Sequence, residues 1–221
     1  FTVPSVFAPT SGDVWSQQAK LQASDGATSD RFGKAVALSG DYAVIGAYAD
    51  DDSPNNSGSA YIFKKDTGAE TWTQQAKLIA SDAAASDNFG WKVEISGDIA
   101  VIGAYHADPG GVSNAGSAYI FERSGTTWTE VKKITASDAA ASDKFGSMVA
   151  IDGTTVFVGA PYNDTKGDGA GAAYVFEKEY VGPTLTYDTS NKLSLTGVTT
   201  PSTNLTVGTN TYDIGSAKVV F

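Results

Sequence analysis

The stretch that decides the fold is "DRFGKAVALSGDYAVIGAYADDD", residues 30–52, because the chain repeats its pattern twice more. The Phe-Gly pair near its start recurs at intervals of 57 and 56 residues, and so does a tryptophan that precedes it. The recurring positions are Phe32, Phe89 and Phe145 for the pair, and Trp15, Trp72 and Trp128 for the tryptophan. An internal repeat of this length indicates three copies of one structural unit.

Each copy contains four runs with the character of β-strands. In the first copy, residues 34–39 alternate between apolar and small or polar side chains, and the Ser-Gly-Asp turn that follows predicts a tight hairpin. Residues 42–47, "YAVIGA", are apolar on both faces, which predicts a central strand. Residues 59–63 form a third run, and the polar alternation of residues 72–80 predicts an outer strand. Four antiparallel strands in each of three copies predict an all-β chain of β-propeller blades.

A glycine lies inside the central strand of every copy, at Gly46, Gly103 and Gly159. Glycine weakens a strand unless another backbone must come close, so these positions predict contact with a neighbouring blade. The phenylalanine of each Phe-Gly pair is predicted to pack between blades.

The composition limits the classes of function. The chain has 221 residues, 41% of them hydrophobic, and a formal net charge of −10. This balance argues against partners that require basic residues, namely nucleic acid and anionic membrane surfaces. Without cysteine, disulfides and thiolate metal sites are excluded. No apolar run approaches the ~20 residues of a membrane-spanning helix, and the start at Phe1 rather than Met indicates a processed chain or a fragment.

These motifs resemble the FG-GAP repeat family, which is known from integrin α-chain propellers and many microbial surface proteins. The third copy carries both halves of the family name, at 145–146 and 159–161, within a repeat region of residues 13–180. The resemblance implies a β-propeller, binding rather than catalysis, and an extracellular or cell- or particle-surface location. Residues 1–12 are then an N-terminal lead, and residues 181–221 a C-terminal β-rich extension of four short strands.

The family often holds calcium in an Asp-rich loop between its Phe-Gly and Gly-Ala-Pro strands. Here that connection is a three-residue turn such as 39–41, which cannot supply the roughly six to eight oxygen ligands of calcium. The remaining candidate calcium ligands lie in the loops after the central strands: Asp50, Asp51, Asp52, Asp108, Asp164 and Asp168. Because these loops lack the alternating acidic pattern of a calcium loop, solvated Asx turns are the favoured interpretation, with calcium the alternative.

Catalysis is not expected from this sequence. Two aspartates precede each Phe-Gly pair: Asp25 and Asp30, Asp82 and Asp87, and Asp138 and Asp143. Three copies are hard to reconcile with one active site, so turn capping through backbone N–H groups is favoured over acid–base chemistry. His106, the single histidine, is aligned with Ala49 and Asn163, and no nucleophile motif accompanies it, so a surface-loop residue is favoured over a catalytic base.

Trp91 is a candidate ligand contact. It follows a recurring glycine but does not itself recur, since Lys34 and Ser147 take its place. Binding residues vary where scaffold residues repeat, although packing is an equally valid interpretation. Candidate N-glycosylation sequons begin at Asn55, Asn163 and Asn204.

The two ends of the repeat region are incomplete in complementary ways. Residues 14–23, "VWSQQAKLQA", have the sequence of a fourth strand, whereas no Trp-containing fourth strand follows Phe176. We predict that residues 14–23 pair with residues 172–176, either within one chain or between chains by strand exchange, which would give self-association.

Three hypotheses about function follow. The first is a non-enzymatic, surface-exposed binding or structural module for adhesion or for an extracellular or particle-surface assembly, with a protein or glycan partner. The second is an accessory propeller of a larger hydrolase. The third is a glycan-binding lectin, to which Trp91 and the tyrosines Tyr48, Tyr105 and Tyr162 point.

Overall fold

The computed structural model describes residues 15–51 and 55–179 and, beyond them, the backbone of four short strands. The chain divides into two compact units after Glu177. Regular structure in the described residues is β-strand, apart from one turn of 3-10 helix at Pro109–Gly111. The prediction of an all-β chain is confirmed. None of the described helical structure has the length and apolar character needed to cross a membrane.

The first two repeats form four-stranded antiparallel sheets in which consecutive strands are neighbours. The first sheet contains β1 (Ala35–Ser39), β2 (Tyr42–Ala47), β3 (Ser59–Asp66) and β4 (Thr71–Leu78). The second contains β5 (Lys92–Ser96), β6 (Ile99–Ala104), β7 (Ser117–Ser124) and β8 (Thr127–Ile134). The hairpins before β2 and β6 turn on Gly40 and Gly97, whose left-handed backbone suits a two-residue turn. As the polar alternation predicted, β4 and β8 lie at the sheet edges.

The third repeat forms a sheet of three strands in the order β11–β10–β9. These are β9 (Met148–Asp152), β10 (Thr155–Ala160) and β11 (Ala172–Glu177). Within the part of the chain that is described, β11 pairs with β10 alone. The backbone groups on its other side therefore form an open edge.

The predicted pairing of residues 14–23 with this edge is wrong for a single chain. Residues 15–23 form no strand. Leu21 and Ala23 pack instead against the first sheet beside Phe32, and the Ser24 backbone N–H donates to Gln74 Oε1 at 2.9 Å. A strand needs a neighbouring strand for its backbone hydrogen bonds, and none of the strands in the described residues lies beside this segment.

The Phe-Gly turns of the second and third blades each pack between the sheet of their own blade and the sheet of the preceding blade, as predicted. Phe89 is fully buried, with its ring edge-on to Tyr119 and Phe121 of the second sheet at 5.4 and 6.0 Å. It belongs to one apolar cluster with Val44 and Ile62 of the first sheet. The blades are therefore joined face to face through the Phe-Gly turn.

The other two Phe-Gly turns show what the preceding sheet contributes. Phe145 is fully buried, lies 5.4 Å from the ring of Tyr174 and shares a cluster with Val101 of the second sheet. Phe32 lies at a similar 5.5 Å from Tyr61 of its own sheet. It is only partly buried, because no sheet precedes it in the described chain.

Close backbone contact explains the central-strand glycines. A Cβ atom at Gly46 would overlap the carbonyl oxygen of Gly90, and one at Gly103 would overlap the carbonyl oxygen of Gly146. The predicted approach of a neighbouring blade is thus confirmed for these two positions. At Gly159 an added Cβ meets only its own sheet, with Met148 Cβ nearest at 3.4 Å.

The second compact unit contains two separate antiparallel hairpins. They are formed by β12 (Thr184–Tyr187) with β13 (Leu193–Thr196), and by β14 (Asn204–Val207) with β15 (Asn210–Asp213). The four short strands predicted after the repeats are present.

Candidate ligand-binding ridge

Aromatic side chains from successive blades meet where the central strands end. The Trp91 ring lies 4.9 Å from that of Tyr48 and 4.4 Å from that of Tyr105, and the Tyr105 ring lies 3.9 Å from that of His106. We call this row, together with the exposed Tyr162 of the third blade, the aromatic ridge. The ridge places Trp91 against Tyr48 and Tyr105, two of the three tyrosines that the sequence singled out.

Two lysines join the aromatic ridge across the blades. Lys34 Nζ lies 4.3 Å from the centre of the Trp91 ring. Lys144 Nζ lies 5.7 Å from the centre of the Tyr105 ring and 4.7 Å from that of Tyr162. Cations at these distances are attracted by the ring faces, so the lysines help to order the ridge and place ammonium groups along it. Sequence reasoning missed both lysines, because neither recurs and each contacts a residue of another repeat.

The same backbone hydrogen bond positions the ridge in each blade. The N–H groups of Ala49, His106 and Tyr162 donate to the carbonyl oxygens of the aspartates that precede Phe-Gly: Asp30, Asp87 and Asp143. Tyr162, and not Asn163, is therefore the counterpart of His106, which corrects the alignment by one residue. Ala49, His106 and Tyr162 thus occupy the same structural position in the three blades, so the side chain at this position differs from blade to blade while the backbone repeats.

Burial changes the ionisation of the ridge. It lowers the pKa of His106, and the nearby Lys144 ammonium lowers that pKa further, against an opposing effect of Asp108. Burial also raises the pKa of Tyr105. At neutral pH the ridge thus presents a neutral imidazole at His106 and a neutral phenol at Tyr105.

A cleft of about 290 Å³ adjoins the Tyr162 end of the aromatic ridge. Its lining includes Lys144, Tyr162, Asp164 and Asp168. One carboxylate oxygen of Asp164 accepts the Gly169 backbone N–H at 2.7 Å, a bond across five residues of the loop that is longer in sequence than the predicted Asx turn. The cleft combines an aromatic face with charged groups of both signs, an arrangement suited to hydrogen-bonding ligands.

A second recurring cluster joins aspartate, tyrosine and lysine. In the first blade, Lys77 Nζ lies 2.8 Å from Asp25 and 3.0 Å from Asp50, whose carboxylate accepts the Tyr61 hydroxyl at 2.6 Å. Burial alone would raise the pKa of Asp25, but hydrogen bonds from Lys77 and Tyr61 outweigh it and lower that pKa. The charges and hydrogen-bonding groups of these residues are paired with one another. The cluster therefore ties Tyr61 of β3 and Lys77 of β4 to Asp25 in the loop before Phe-Gly.

The cluster recurs in the second blade and is incomplete in the third. The Tyr119 hydroxyl donates to Asp82 at 2.8 Å, and Lys133 Nζ lies 2.5 Å from the same carboxylate. In the third blade the Tyr174 hydroxyl donates to Asp138 at 2.7 Å. Burial, with this hydrogen bond adding to it, raises the pKa of Tyr174 to about 12. The lysine would lie on a fourth strand, which the third sheet lacks.

The candidate calcium ligands do not assemble a calcium site in the described residues. Asp50 is buried against the Lys77 ammonium, Asp51 is exposed, and Asp52 lies outside the described residues. Asp108 is exposed and accepts the Asn114 backbone N–H at 2.6 Å. No group of three acidic or histidine side chains close enough to share a metal ion occurs in these ranges. The donor set does not fit calcium, since the best-placed carboxylate is already neutralised by a lysine.

The second aspartate before each Phe-Gly pair caps a turn. The carboxylates of Asp30, Asp87 and Asp143 each accept the backbone N–H three residues earlier, at 2.5, 2.9 and 3.1 Å. This role was predicted from the recurrence. The first aspartates do not cap turns in this way but bind the tyrosines and lysines described above.

The three sequon asparagines lie in different environments. Asn55 is exposed, and its carbonyl oxygen accepts the Ser86 backbone N–H at 2.9 Å. Asn163 is buried, and its side-chain amide donates to Asp143 at 3.0 Å, so the folded chain does not present this nitrogen at its surface. Asn204 begins β14.

Comparison with known proteins agrees with this architecture. A comparison with curated proteins returns no match. The FG-GAP repeat family model matches three consecutive segments, residues 15–63, 72–121 and 128–176. Each matched segment runs from the recurring tryptophan position to the third strand of a blade, and together they cover more than half of the chain. The chain belongs to the FG-GAP repeat family.

Proposed function

We propose that this propeller-like module is a non-enzymatic, surface-exposed binding module that acts in adhesion or in an extracellular or particle-surface assembly. The observation that carries the proposal is the aromatic ridge. Its Trp91, His106 and Tyr162 stand at positions whose residues differ between copies, on a scaffold that repeats. FG-GAP repeats are common in extracellular proteins, which supports the proposed location.

The surroundings of the single histidine support a non-catalytic role. The His106 ring stacks on Tyr105, and its lowered pKa reflects burial and a neighbouring lysine. The recurring carboxylates are engaged by tyrosine, lysine and backbone N–H groups in the same way from blade to blade. Such repetition is typical of a scaffold rather than of one active site.

A glycan is the second candidate ligand, and the ridge favours it specifically. Tyr162 is exposed and Trp91 is partly exposed, and the C–H face of a sugar ring can stack on such aromatic rings. The ammonium groups of Lys34 and Lys144, and the carboxylates of Asp164 and Asp168, are available at short range to hydroxyl groups. A protein partner would use the same aromatic residues as anchors.

The test is binding of the full chain to an immobilised glycan array and to a panel of extracellular-matrix proteins. Trp91→Ala should weaken any binding by about tenfold or more, the usual effect of truncating an aromatic anchor. The control is Val131→Ala on the outer strand β8, since Val131 is an exposed apolar residue that lies outside the ridge. Equal binding by the Trp91 variant, or no binding to either surface, would contradict the proposal.

A further inference from the structure

The outer face of the third sheet exposes side chains at positions that are buried or partly buried in the first two sheets. We call this the trailing face, and its exposed residues are Met148, Phe157 and Val175 at 60%, 49% and 54% exposure. Val44 and Val101 occupy the position of Phe157 in the earlier blades and are completely buried by the next blade. The trailing face is therefore apolar like the buried contacts between blades, but no following blade covers it in the described chain.

The outer face of the first sheet has the complementary property. We call this the leading face, and it carries Phe32, Val36 and Leu38. Val36 and Leu38 are 64% and 66% exposed, whereas Val93 and Ile95, their counterparts in the second blade, are 0% and 6% exposed. Because Val36 and Leu38 at one end and Phe157 at the other are exposed, the leading and trailing faces of one chain do not cover each other.

The trailing face also retains the glycines that receive a Phe-Gly turn. Gly46 and Gly58 in the first blade are pressed against the backbone of the following Phe-Gly turn, where a Cβ would overlap carbonyl oxygens. Gly159 and Gly171 are their counterparts in the third blade, and in the described chain no such turn lies against them. Gly159 has ordinary strand conformation, so its own sheet does not require glycine there.

Charge complementarity points to the same contact. Asp138 and Tyr174 of the third blade lack the lysine that completes this cluster in the first two blades. Lys20 occupies the position of Lys77 and Lys133 in the repeat, on the segment that has no strand to pair with. Residues 15–33 thus carry the sequence of a fourth strand, a lysine and a Phe-Gly turn, all at the spacing used between consecutive blades.

We propose that the partner of the trailing face is the leading face of a second copy of this chain. Residues 15–23 of the second copy add to β11 as its fourth strand, Phe32-Gly33 docks on Gly159 and Gly171, and Lys20 pairs with Asp138. The three described blades of one copy and the three of the other then form two identical junctions and a ring of six blades, within the four to eight blades usual for propellers. No end face then remains exposed. This interface is independent of the ligand of the aromatic ridge.

The decisive experiment is sedimentation velocity of the full chain and of Gly159→Ala over a range of concentrations. The native chain should form a species of twice the 22.8 kDa chain mass. Gly159→Ala adds one methyl group that the isolated chain accommodates, but it would overlap a docked Phe-Gly turn, so dimerisation should weaken by about tenfold or more. The melting temperature of the Gly159→Ala variant, measured under monomeric conditions, should not fall.

The matched control, Gly68→Ala in the β3–β4 turn, should dimerise like the native chain. A native chain that stays monomeric, or a Gly159→Ala dimer as tight as the native one, would overturn the proposal.

A charge exchange tests the register of the added strand. Lys20→Glu and Asp138→Lys should each weaken the dimer several-fold, and the double variant should recover most of the loss, because the pair is restored with its signs reversed. If the double variant is weaker than either single variant, Lys20 does not face Asp138 and the proposed register is overturned.

Discussion

Replacing Phe89 with alanine measures how strongly the Phe-Gly turn joins consecutive blades. The ring is fully buried and has edge-on contacts with Tyr119 and Phe121, while Val44 and Ile62 of the preceding sheet belong to the same cluster. Truncating a buried phenylalanine removes the apolar transfer energy and leaves a cavity, which typically costs about 3–5 kcal/mol. We expect a loss in the free energy of unfolding within this range.

Phe32→Ala is the matched control for this prediction. Phe32 makes the same ring contacts within its own sheet, at 5.5 and 6.0 Å from Tyr61 and Phe63, but it lacks a preceding sheet and is only partly buried. We therefore expect its truncation to cost about half as much, roughly 1.5–2.5 kcal/mol. The assay is urea unfolding followed by circular dichroism. Both variants are made in the Gly159→Ala background, so that dimerisation does not bury Phe32. Equal losses for the two variants would refute the claim that the preceding blade contributes to the stability of the turn.

Three further substitutions test other contacts. Gly103→Ala should lower the melting temperature sharply and cost about 3 kcal/mol or more, because its Cβ overlaps a backbone carbonyl of the next blade, and tolerance of this change would contradict that contact. Tyr61→Phe leaves the buried Asp50 with one donor fewer and should cost about 1.5–3 kcal/mol in urea unfolding, so a loss near zero would show that this hydrogen bond does not stabilise the fold. For His106, burial lowers the folded-state pKa below the ordinary 6.5, so the unfolded chain binds the proton first and stability is lost as pH falls below that value. Thermal melts between about pH 7.5 and 5.5 should thus show a larger loss for the native chain than for His106→Gln, and equal losses would argue against a neutral buried imidazole.

The blades could be predicted from the sequence because their determinants are local. The run at 42–47 is apolar throughout and follows a glycine turn, so its type, position and central place could all be inferred from a few residues. The sequence of residues 15–23 wrongly predicted a strand within the single chain, because forming an outer strand depends on a contact that is not local. A strand is completed by its neighbour, and the neighbour that residues 72–80 have in β3 is absent beside residues 15–23.

The aromatic ridge could be predicted only in part. Trp91 stood out because it does not recur, and the three tyrosines were named with it as candidate glycan contacts. The contribution of Lys34 and Lys144 depends on how consecutive blades are juxtaposed, which spacing along one repeat does not reveal. By contrast, the cluster of Asp82, Tyr119 and Lys133 recurs at fixed spacing and could have been recognised from the repeat alone.

The most direct test of the architecture is amide hydrogen exchange at the three Phe-Gly turns, measured on monomeric Gly159→Ala protein. The backbone N–H groups of Phe89 and Phe145 donate to Ser57 and Ala115 of the preceding blade, both at 2.8 Å, whereas Phe32 has no such acceptor in the described part of the chain. Docking of each turn on the blade before it predicts slow exchange at Phe89 and Phe145 and fast exchange at Phe32. Fast exchange at all three amides, or equal protection of all three, would contradict it.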